Sequence, residues 1–141
     1  MRSERYYIDS NILYFRAADE EELTAEVMDI VEDTGNHIYV PSKCVEELIY
    51  LTQSGKIRVK KWKSAEDIVG YIEDELSYEI KCVTVKHLRR LASLPLFPEH
   101  KDSTDRIAIA QAIDDKIPII SSDREFHKYV PYGLELVFNK R

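Results

Sequence analysis

Cysteine is scarce in this sequence, and neither of its cysteines has a partner motif. The 141 residues include two cysteines, Cys44 and Cys82, which lie alone in apolar contexts without Cys-x-x-Cys spacing. Disulfide scaffolds and thiolate metal sites need paired cysteines. The sequence therefore predicts two reduced core thiols in a cytoplasmic protein.

Long apolar runs and an excess of basic charge are also missing. No segment approaches the roughly 20 apolar residues that span a membrane, and residues 1–6 lack the apolar core of a signal peptide. We therefore expect no membrane contact. The net charge of −6 argues against indiscriminate nucleic-acid binding, which favours basic surfaces. It does not exclude a metal-dependent nuclease, because acidic ligands count toward this total until cations neutralise them.

The composition that remains is that of an ordinary globular domain. Hydrophobic residues make up 44% of the chain and charged residues 33%, as in most globular proteins. The length predicts one domain over residues 1–141 with a substantial core. The chain has no internal repeat, low-complexity segment or linker.

Predicted strands alternate with predicted helices along the chain. The strands are residues 5–8, 37–40, 79–83, 118–120 and an edge strand at 134–138. The helices are 12–15, 20–34 and those that follow Ser42, Ser64, Thr84, Asp102 and Asp123. In the helix after Thr84, the residues expected to face inward are Leu88, Leu91 and Ala92. This alternation predicts an α/β fold with a mostly parallel sheet that is covered on both faces.

Acidic residues follow two of the predicted strands. Asp9 comes directly after strand 5–8, and Asp123 follows strand 118–120 through Ser121 and Ser122. The carboxyl ends of parallel strands share one crevice, so we expect both carboxylates there. Taken alone, Asp9 is equally compatible with a simple strand-to-helix cap.

Two further acids are predicted near the starts of helices that leave the same edge. Asp102 and Asp105 have the spacing of a helix N-terminus, and Asp105 heads an apolar stripe. Capping alone also satisfies this pattern. In the helix after Ser42, Glu47 flanks the apolar stripe at about 100° per residue, whereas Glu46 points further from it. Glu47 is therefore the better candidate for an inward carboxylate.

Together these four carboxylates predict a metal site. Carboxylates in one pocket repel each other unless cations lie among them. Oxygen donors without cysteine or histidine spacing suit Mg²⁺ or Mn²⁺. Two such ions about 4 Å apart could activate a water and stabilise the leaving oxygen of a phosphodiester. The predicted chemistry is metal-assisted hydrolysis.

Residues 56–63 alternate basic and apolar side chains and include the only tryptophan, Trp62. Basic residues with interleaved aromatics can hold a nucleic-acid backbone. The same run also fits a solvated loop or a surface for a protein partner, so the sequence leaves these interpretations open.

The ordered motifs of the chain resemble those of the PIN-domain ribonucleases, and more specifically the VapC-type toxins of bacterial and archaeal toxin–antitoxin pairs. The matching segments are Tyr-Ile-Asp-Ser-Asn-Ile-Leu at 7–13, Val-Pro-Ser-Lys-Cys-Val-Glu-Glu-Leu at 40–48, Ser-Gly-Lys-Ile at 54–57, His-Lys-Asp-Ser-Thr-Asp-Arg at 100–106, Ala-Gln-Ala at 110–112 and Pro-Ile-Ile-Ser-Ser-Asp at 118–123. The family often has Pro-Phe where this chain has Ser103 and Thr104. Each motif is short, but their order and spacing together are specific.

The resemblance implies a PIN-type three-layer α/β/α sandwich and a Mg²⁺- or Mn²⁺-dependent endoribonuclease that acts on RNA. It also implies a homodimer and a small antitoxin partner. The implied metal ligands and catalytic residues are Asp9, Glu47, Asp105 and Asp123.

The resemblance suggests supporting roles for four more residues. Asn11 and Ser121 match positions that orient the acids. Asp102 is expected to cap its helix or support a metal-bound water. Arg106 is expected to contact phosphate or antitoxin, or to pair with a neighbouring acid.

Other classes of protein also place acids at strand ends. A haloacid-dehalogenase-type phosphatase needs a second aspartate where this chain has Asn11. A phosphoaspartate receiver needs a lysine after a late strand, where this chain has Ser121, Ser122 and Asp123. Two alternatives stay open: a PIN nuclease of RNA processing or decay, and a non-catalytic PIN-fold binding protein.

Overall fold

A five-stranded parallel sheet forms the centre of the protein. The computed structural model describes residues 4–141; residues 1–3, which belong to the predicted domain and to the N-terminal segment 1–6, lie outside the described residues. The strands are β1 (Arg5–Ile8), β2 (His37–Pro41), β3 (Glu79–Lys81), β4 (Ile119–Ser121) and β5 (Leu136–Phe138). Their order is β3-β2-β1-β4-β5, and every pairing is parallel. The predicted parallel α/β fold and the edge position of the last strand are confirmed.

Helices connect the strands and cover the sheet. They are α1 (Ser10–Ala18), α2 (Ala25–Glu32), α3 (Ser42–Gln53), α4 (Asp67–Gly70), α5 (Val85–Ser93) and α6 (Ser103–Asp115), with 3₁₀ segments at Glu20–Glu22 and Arg124–Tyr132 and a π-helical turn at Tyr71–Glu75. The chain steps one way from β1 to β3 and the other way from β4 to β5. Right-handed crossovers in opposite directions put helices on opposite faces, which gives the predicted three-layer α/β/α arrangement.

The centre of the sheet is dry on both faces. Adjacent residues of β1, Tyr7 and Ile8, point to opposite faces, and both are completely buried. In register, Ile8 lies beside Ile120 of β4. Strands that are buried on both faces need continuous apolar runs, which is why these segments do not alternate.

The predicted helix 20–34 is wrong as one continuous element. The chain leaves the helical conformation at Leu23 and Thr24, and α2 begins only at Ala25. The Thr24 hydroxyl caps α2 by accepting from the Val27 N–H at 3.2 Å, and the Thr24 N–H donates to the side chain of Asn139 at 2.8 Å. A side chain that satisfies the backbone locally competes with helix continuation.

The predicted inward face of α5 is correct for Leu91, which packs against the core, and wrong for Leu88 and Ala92. Leu88 is 52% exposed and Ala92 is exposed, whereas His87 is buried. Thr84 and His87 form a capping box, and the His87 ring bonds to Asp115 at 2.9 Å. These contacts turn His87 inward, so that the inner side of α5 carries His87 and Leu91 and is followed by the buried C-cap residue Leu94.

The prediction of two core thiols is correct for one cysteine only. Cys44 is buried in α3 and Cys82 is exposed. Strand β3 ends at Lys81, so Cys82 lies beyond the sheet. Helix α3 begins at Ser42 itself, one residue earlier than predicted, and Pro41 is its N-cap.

Helix α6 lies in the interior of the protein. All residues from Ile107 to Ile113 are buried, as expected of a helix enclosed on every side. Its N-terminus is capped by Asp102, whose Oδ1 accepts from the Asp105 N–H at 3.0 Å. The buried helix fixes Asp105 near the carboxyl ends of the strands.

Within residues 4–141, no helix has the length and apolarity that crossing a lipid bilayer would require.

Candidate active site

Asp9 lies where the direction of strand connection reverses. Strand β1 pairs with β2 on one side and β4 on the other, and crevices at such switch points commonly bind ligands. The Asp9 side chain is 3% exposed. Its Oδ1 accepts from the Ile12 N–H at 3.0 Å, and its Oδ2 accepts from the Ser121 hydroxyl at 2.6 Å. The carboxylate is therefore both buried and fixed in orientation.

Ser121 connects Asp9 to the neighbouring strand end. It is the last residue of β4, and its Oγ also accepts from the Asp123 N–H at 3.0 Å. The Asp123 carboxylate in turn caps the 3₁₀ segment by accepting from the Glu125 N–H at 2.9 Å. One buried hydroxyl thus holds the two strand-end acids in a fixed relation.

Asp105 joins this group from α6, together with a histidine that the sequence interpretation missed. Ligand atoms of His100, Asp105 and Asp123 lie within 4.8 Å of one another. His100 is 4% exposed. Its Nε2 lies 3.3 Å from Asp105 Oδ2, and its Nδ1 lies 2.7 Å from the Tyr129 hydroxyl.

Glu47 approaches from α3, and its neighbour Glu46 does not. Glu47 is half-buried and lines a depression beside Ser10 and Asn11. Glu46 is exposed and pairs with Lys43 at 3.2 Å. The structure therefore places these two side chains on the faces that the helical periodicity predicts.

The carboxylates act on one another electrostatically. The pKa of Asp105 is raised to about 8, first by burial and then by the negative charges of Asp102, Asp9, Asp123 and Glu47. Burial also raises the pKa of Asp9 to about 6, against its hydrogen bonds, and the charges of Asp123 and Glu47 add to this rise. Among residues 4–141, no lysine or arginine forms an ion pair with any of these four acids.

The buried thiol of Cys44 responds to the same charges. Its pKa is raised first by burial and then by Asp9, Glu47 and Asp105, against a hydrogen bond with Ser10. Glu47 therefore acts on both Asp9 and Cys44. The four carboxylates that the sequence nominates are brought into one electrostatic cluster.

The other nominated residues take different positions. Asp102 caps α6 and is exposed. Asn11 is exposed beside the site, and among the described residues it makes no hydrogen bond to an acid. Arg106 is half-buried and donates from Nη2 to the Pro95 carbonyl at 3.4 Å. Within residues 4–141, Arg106 forms no ion pair with an acid, so the expected pairing with a neighbouring acid is not seen.

The sequence model of the PIN domain family matches residues 6–130. The chain belongs to the PIN domain family. Members of this family are generally nucleases that use divalent metal ions. No curated protein sequence matches the chain.

Solved structures of similar fold extend the comparison over nearly the whole chain. A structure of VapBC2 from Rickettsia felis bound to a promoter DNA fragment matches with a TM-score of 0.69 and 16% identity, covering 96% of this chain and 99% of that one. A structure of FitAcB from Neisseria gonorrhoeae matches with a TM-score of 0.65 and 15% identity, covering 95% and 96%. A DNA-bound VapBC from Salmonella typhimurium gives a TM-score of 0.64 and 14% identity, covering 96% and 98%. At these identities the likeness shows the fold.

The acid cluster of this PIN domain has the donor chemistry of a divalent-metal site. Hard cations such as Mg²⁺ and Mn²⁺ take carboxylate oxygens, and buried carboxylates without basic partners are costly unless a cation joins them. The site also contains one nitrogen donor, His100, which lies beside Asp105. The donor set therefore fits a divalent cation.

We predict that His100→Ala weakens Mn²⁺ binding about 10- to 100-fold, because residues that orient metal ligands contribute this much to affinity. Isothermal titration calorimetry measures the change directly. Tyr129→Phe removes only the hydroxyl behind the ring, so a smaller loss of the same kind is expected. Unchanged Mn²⁺ affinity in folded His100→Ala would show that Asp105 needs no support from this ring.

His100 opens the family-like motif at 100–106, but no periodicity in the sequence marks it as a buried site residue. It precedes the cap of α6 in an irregular proline-bounded segment, where helical and strand periodicities do not apply. Its ring becomes buried because it packs against Phe126 and contacts the Tyr129 hydroxyl, 26 and 29 residues later in the chain.

Proposed function

We propose that this protein is a metal-dependent endoribonuclease whose active site is formed by Asp9, Glu47, Asp105 and Asp123. The observation that carries this proposal is geometric. Ligand atoms of His100, Asp105 and Asp123 lie within 4.8 Å of one another, and the Ser121 hydroxyl that binds Asp9 also accepts from the Asp123 N–H. The charge of Glu47 acts on the pKa of both Asp9 and Asp105. A PIN fold with this arrangement is suited to hydrolysis of a phosphodiester.

The protein's own groups prepare the site in distinct ways. The Ser121 hydroxyl and the Ile12 N–H fix Asp9. The His100 ring contacts Asp105 through Nε2 and the Tyr129 hydroxyl through Nδ1. The four carboxylates would hold Mg²⁺ or Mn²⁺. When bound, such ions make water more acidic and stabilise the charge that develops on the phosphodiester oxygens.

We further propose that the protein is the toxin of a VapBC-type pair and acts in the cytoplasm as a homodimer controlled by a small antitoxin. The support is the full-length likeness in fold to chains from VapBC and FitAcB structures. Expression without and with the product of an adjacent small gene tests this role. Growth arrest that the second product relieves is expected; normal growth would favour a nuclease of RNA processing or decay.

The nuclease itself is tested by cleavage of a mixed structured RNA by purified protein with Mg²⁺, Mn²⁺ or EDTA, beside Asp105→Asn. We expect discrete cuts that require metal and disappear in the variant, because the substitution removes a charged oxygen ligand. Cleavage that persists in EDTA would contradict a metal mechanism. Absence of cleavage by folded protein free of copurified partners, together with Mn²⁺ binding by calorimetry, would favour a binding role.

A further inference from the structure

Residues 56–63, called the basic loop from here on, follow α3 and concentrate positive charge on an acidic protein. The loop contains five of the chain's 20 lysines and arginines and no acid. All five basic residues are exposed: Lys56, Arg58, Lys60, Lys61 and Lys63. The charge is therefore presented to solvent.

Apolar residues between the basic ones hold the loop in place. Val59 is 2% exposed and Trp62 is 5% exposed, and the Trp62 ring packs edge-on against Tyr71 at 5.7 Å. The Ile57 N–H donates to the Leu51 carbonyl at 3.2 Å. Trp62 is thus part of the core and does not provide a stacking surface for bases, which the sequence had left open.

Three cations of the basic loop have neither an acid nor an aromatic ring as a partner. Within residues 4–141, Arg58, Lys60 and Lys63 form neither an ion pair nor a ring contact. Lys61 differs, since its ammonium lies 5.4 Å from the centre of the Tyr71 ring. Arg58 and Lys60 are therefore free to bind an external anion.

Two depressions that share Tyr14 connect Glu47 with these cations. The first, of about 270 Å³, is lined by Glu47, Asn11, Tyr14 and Ile57 and also by Arg141, which pairs with Glu22 at 2.8 Å. A second depression of about 510 Å³ is lined by Tyr14, Arg58, Lys60 and Lys61, with Asp19 as its one acid. Tyr14 is half-buried and lines both. Tyr14 therefore lies between Glu47 on one side and Arg58 and Lys60 on the other.

We propose that single-stranded RNA follows this surface, with a base against Tyr14 and phosphates on Arg58 and Lys60. The inference rests on the proposed nuclease function and names the route of its substrate. An acidic site repels a polyanion, so affinity must come from cations nearby. A basic track with an aromatic side chain is the usual arrangement for unpaired nucleic acid.

Binding of a fluorescent oligouridylate of about 12 nucleotides to uncleaving Asp105→Asn protein tests the route. Adding Arg58→Gln with Lys60→Gln should weaken binding about tenfold. It should also reduce the slope of log affinity against log salt by about 1.4, the value for two lost phosphate contacts on a single strand. Tyr14→Leu should weaken binding about tenfold, and Tyr14→Phe should leave it unchanged.

A matched control removes the same charge elsewhere. Lys86 and Arg89 are exposed on α5 and line neither depression, so Lys86→Gln with Arg89→Gln should change affinity less than twofold. Equal losses in the two double variants would overturn the route, because only net charge would then matter. Unchanged binding in the loop variant would also overturn it and assign the surface to a protein partner.

Cleavage by otherwise wild-type protein separates this route from the nuclease proposal. The loop variant should raise KM about tenfold and leave kcat and the calorimetric Mn²⁺ affinity unchanged. If the unsubstituted protein cleaves RNA and the loop variant cleaves with the same KM, the route alone is wrong. If the unsubstituted protein does not cleave, the nuclease proposal fails whatever the loop does.

Discussion

Replacing Glu47 by glutamine is expected to lower metal-dependent RNA cleavage by at least about 100-fold. The substitution keeps the size of the side chain but removes one negative charge from the cluster. It also replaces an oxygen donor with an amide nitrogen that cannot bind a cation. Loss of a direct ligand should exceed the 10- to 100-fold effect of losing a residue that only supports one. Initial rates at fixed Mn²⁺ concentration measure the loss.

The adjacent residue provides a control on the same helix. Glu46→Gln makes an identical chemical change at an exposed position that pairs with Lys43. Exposed ion pairs contribute about 0–1 kcal/mol to stability, so cleavage and folding should both be preserved. Equal losses of activity in the two variants would show that Glu47 has no special place in the site.

Replacing Asp105 by asparagine is expected to stabilise the metal-free protein at pH 8 while abolishing cleavage. Burial and the neighbouring acids raise the pKa of Asp105 from 3.8 to about 8. Because the folded protein binds the proton more tightly than the unfolded chain, this group favours folding below about pH 4. That contribution is lost as the pH rises toward 8. The melting temperature of Asp105→Asn should therefore exceed that of wild type by roughly 5 °C at pH 8.

Asp115, on the same helix, provides a control because its pKa is shifted in the opposite direction. Burial alone would raise the pKa of Asp115, but hydrogen bonds from Tyr7 at 2.6 Å and His87 at 2.9 Å lower it. The ionised Asp115 carboxylate therefore stabilises the folded protein at pH values above its pKa in the unfolded chain, and this stabilisation is lost in acid. Asp115→Asn should lower the melting temperature at pH 8. If both variants shift it in the same direction, the electrostatic assignment of one of them is wrong.

Added Mn²⁺ gives the third arm of this experiment. A ligand that binds only the folded state raises its stability. The melting temperature of the wild-type protein should therefore rise when Mn²⁺ is added. Asp105→Asn should gain much less. A similar gain in both proteins would place the cation away from Asp105.

The parts of the site that follow from simple repeats could be predicted from the sequence. Asp9 and Asp123 are placed by the ends of parallel strands, and Glu47 by the 100° step of a helix. Asp105 is placed by the cap of α6 at Asp102. The positions of strand ends, helix faces and helix caps depend on local geometry, and tertiary contacts do not change them at these four residues.

The parts that depend on a distant side chain could not be predicted. In α5, apolar spacing alone favours Leu88, but the bond from His87 to Asp115 sets which face turns inward. The His100 ring is buried where it packs against Tyr129. Cys82 follows a strand whose length is set by its pairing with β2. In each case the deciding partner lies far along the chain.

The bond between Ser121 and Asp9 also determines when an active site can exist. Their positions are 112 residues apart in the sequence, and β4 enters the sheet between β1 and β5. During synthesis, Asp9 therefore leaves the ribosome long before Ser121 and Asp123 are made. A nascent chain that ends before Asp123 has no complete acid cluster.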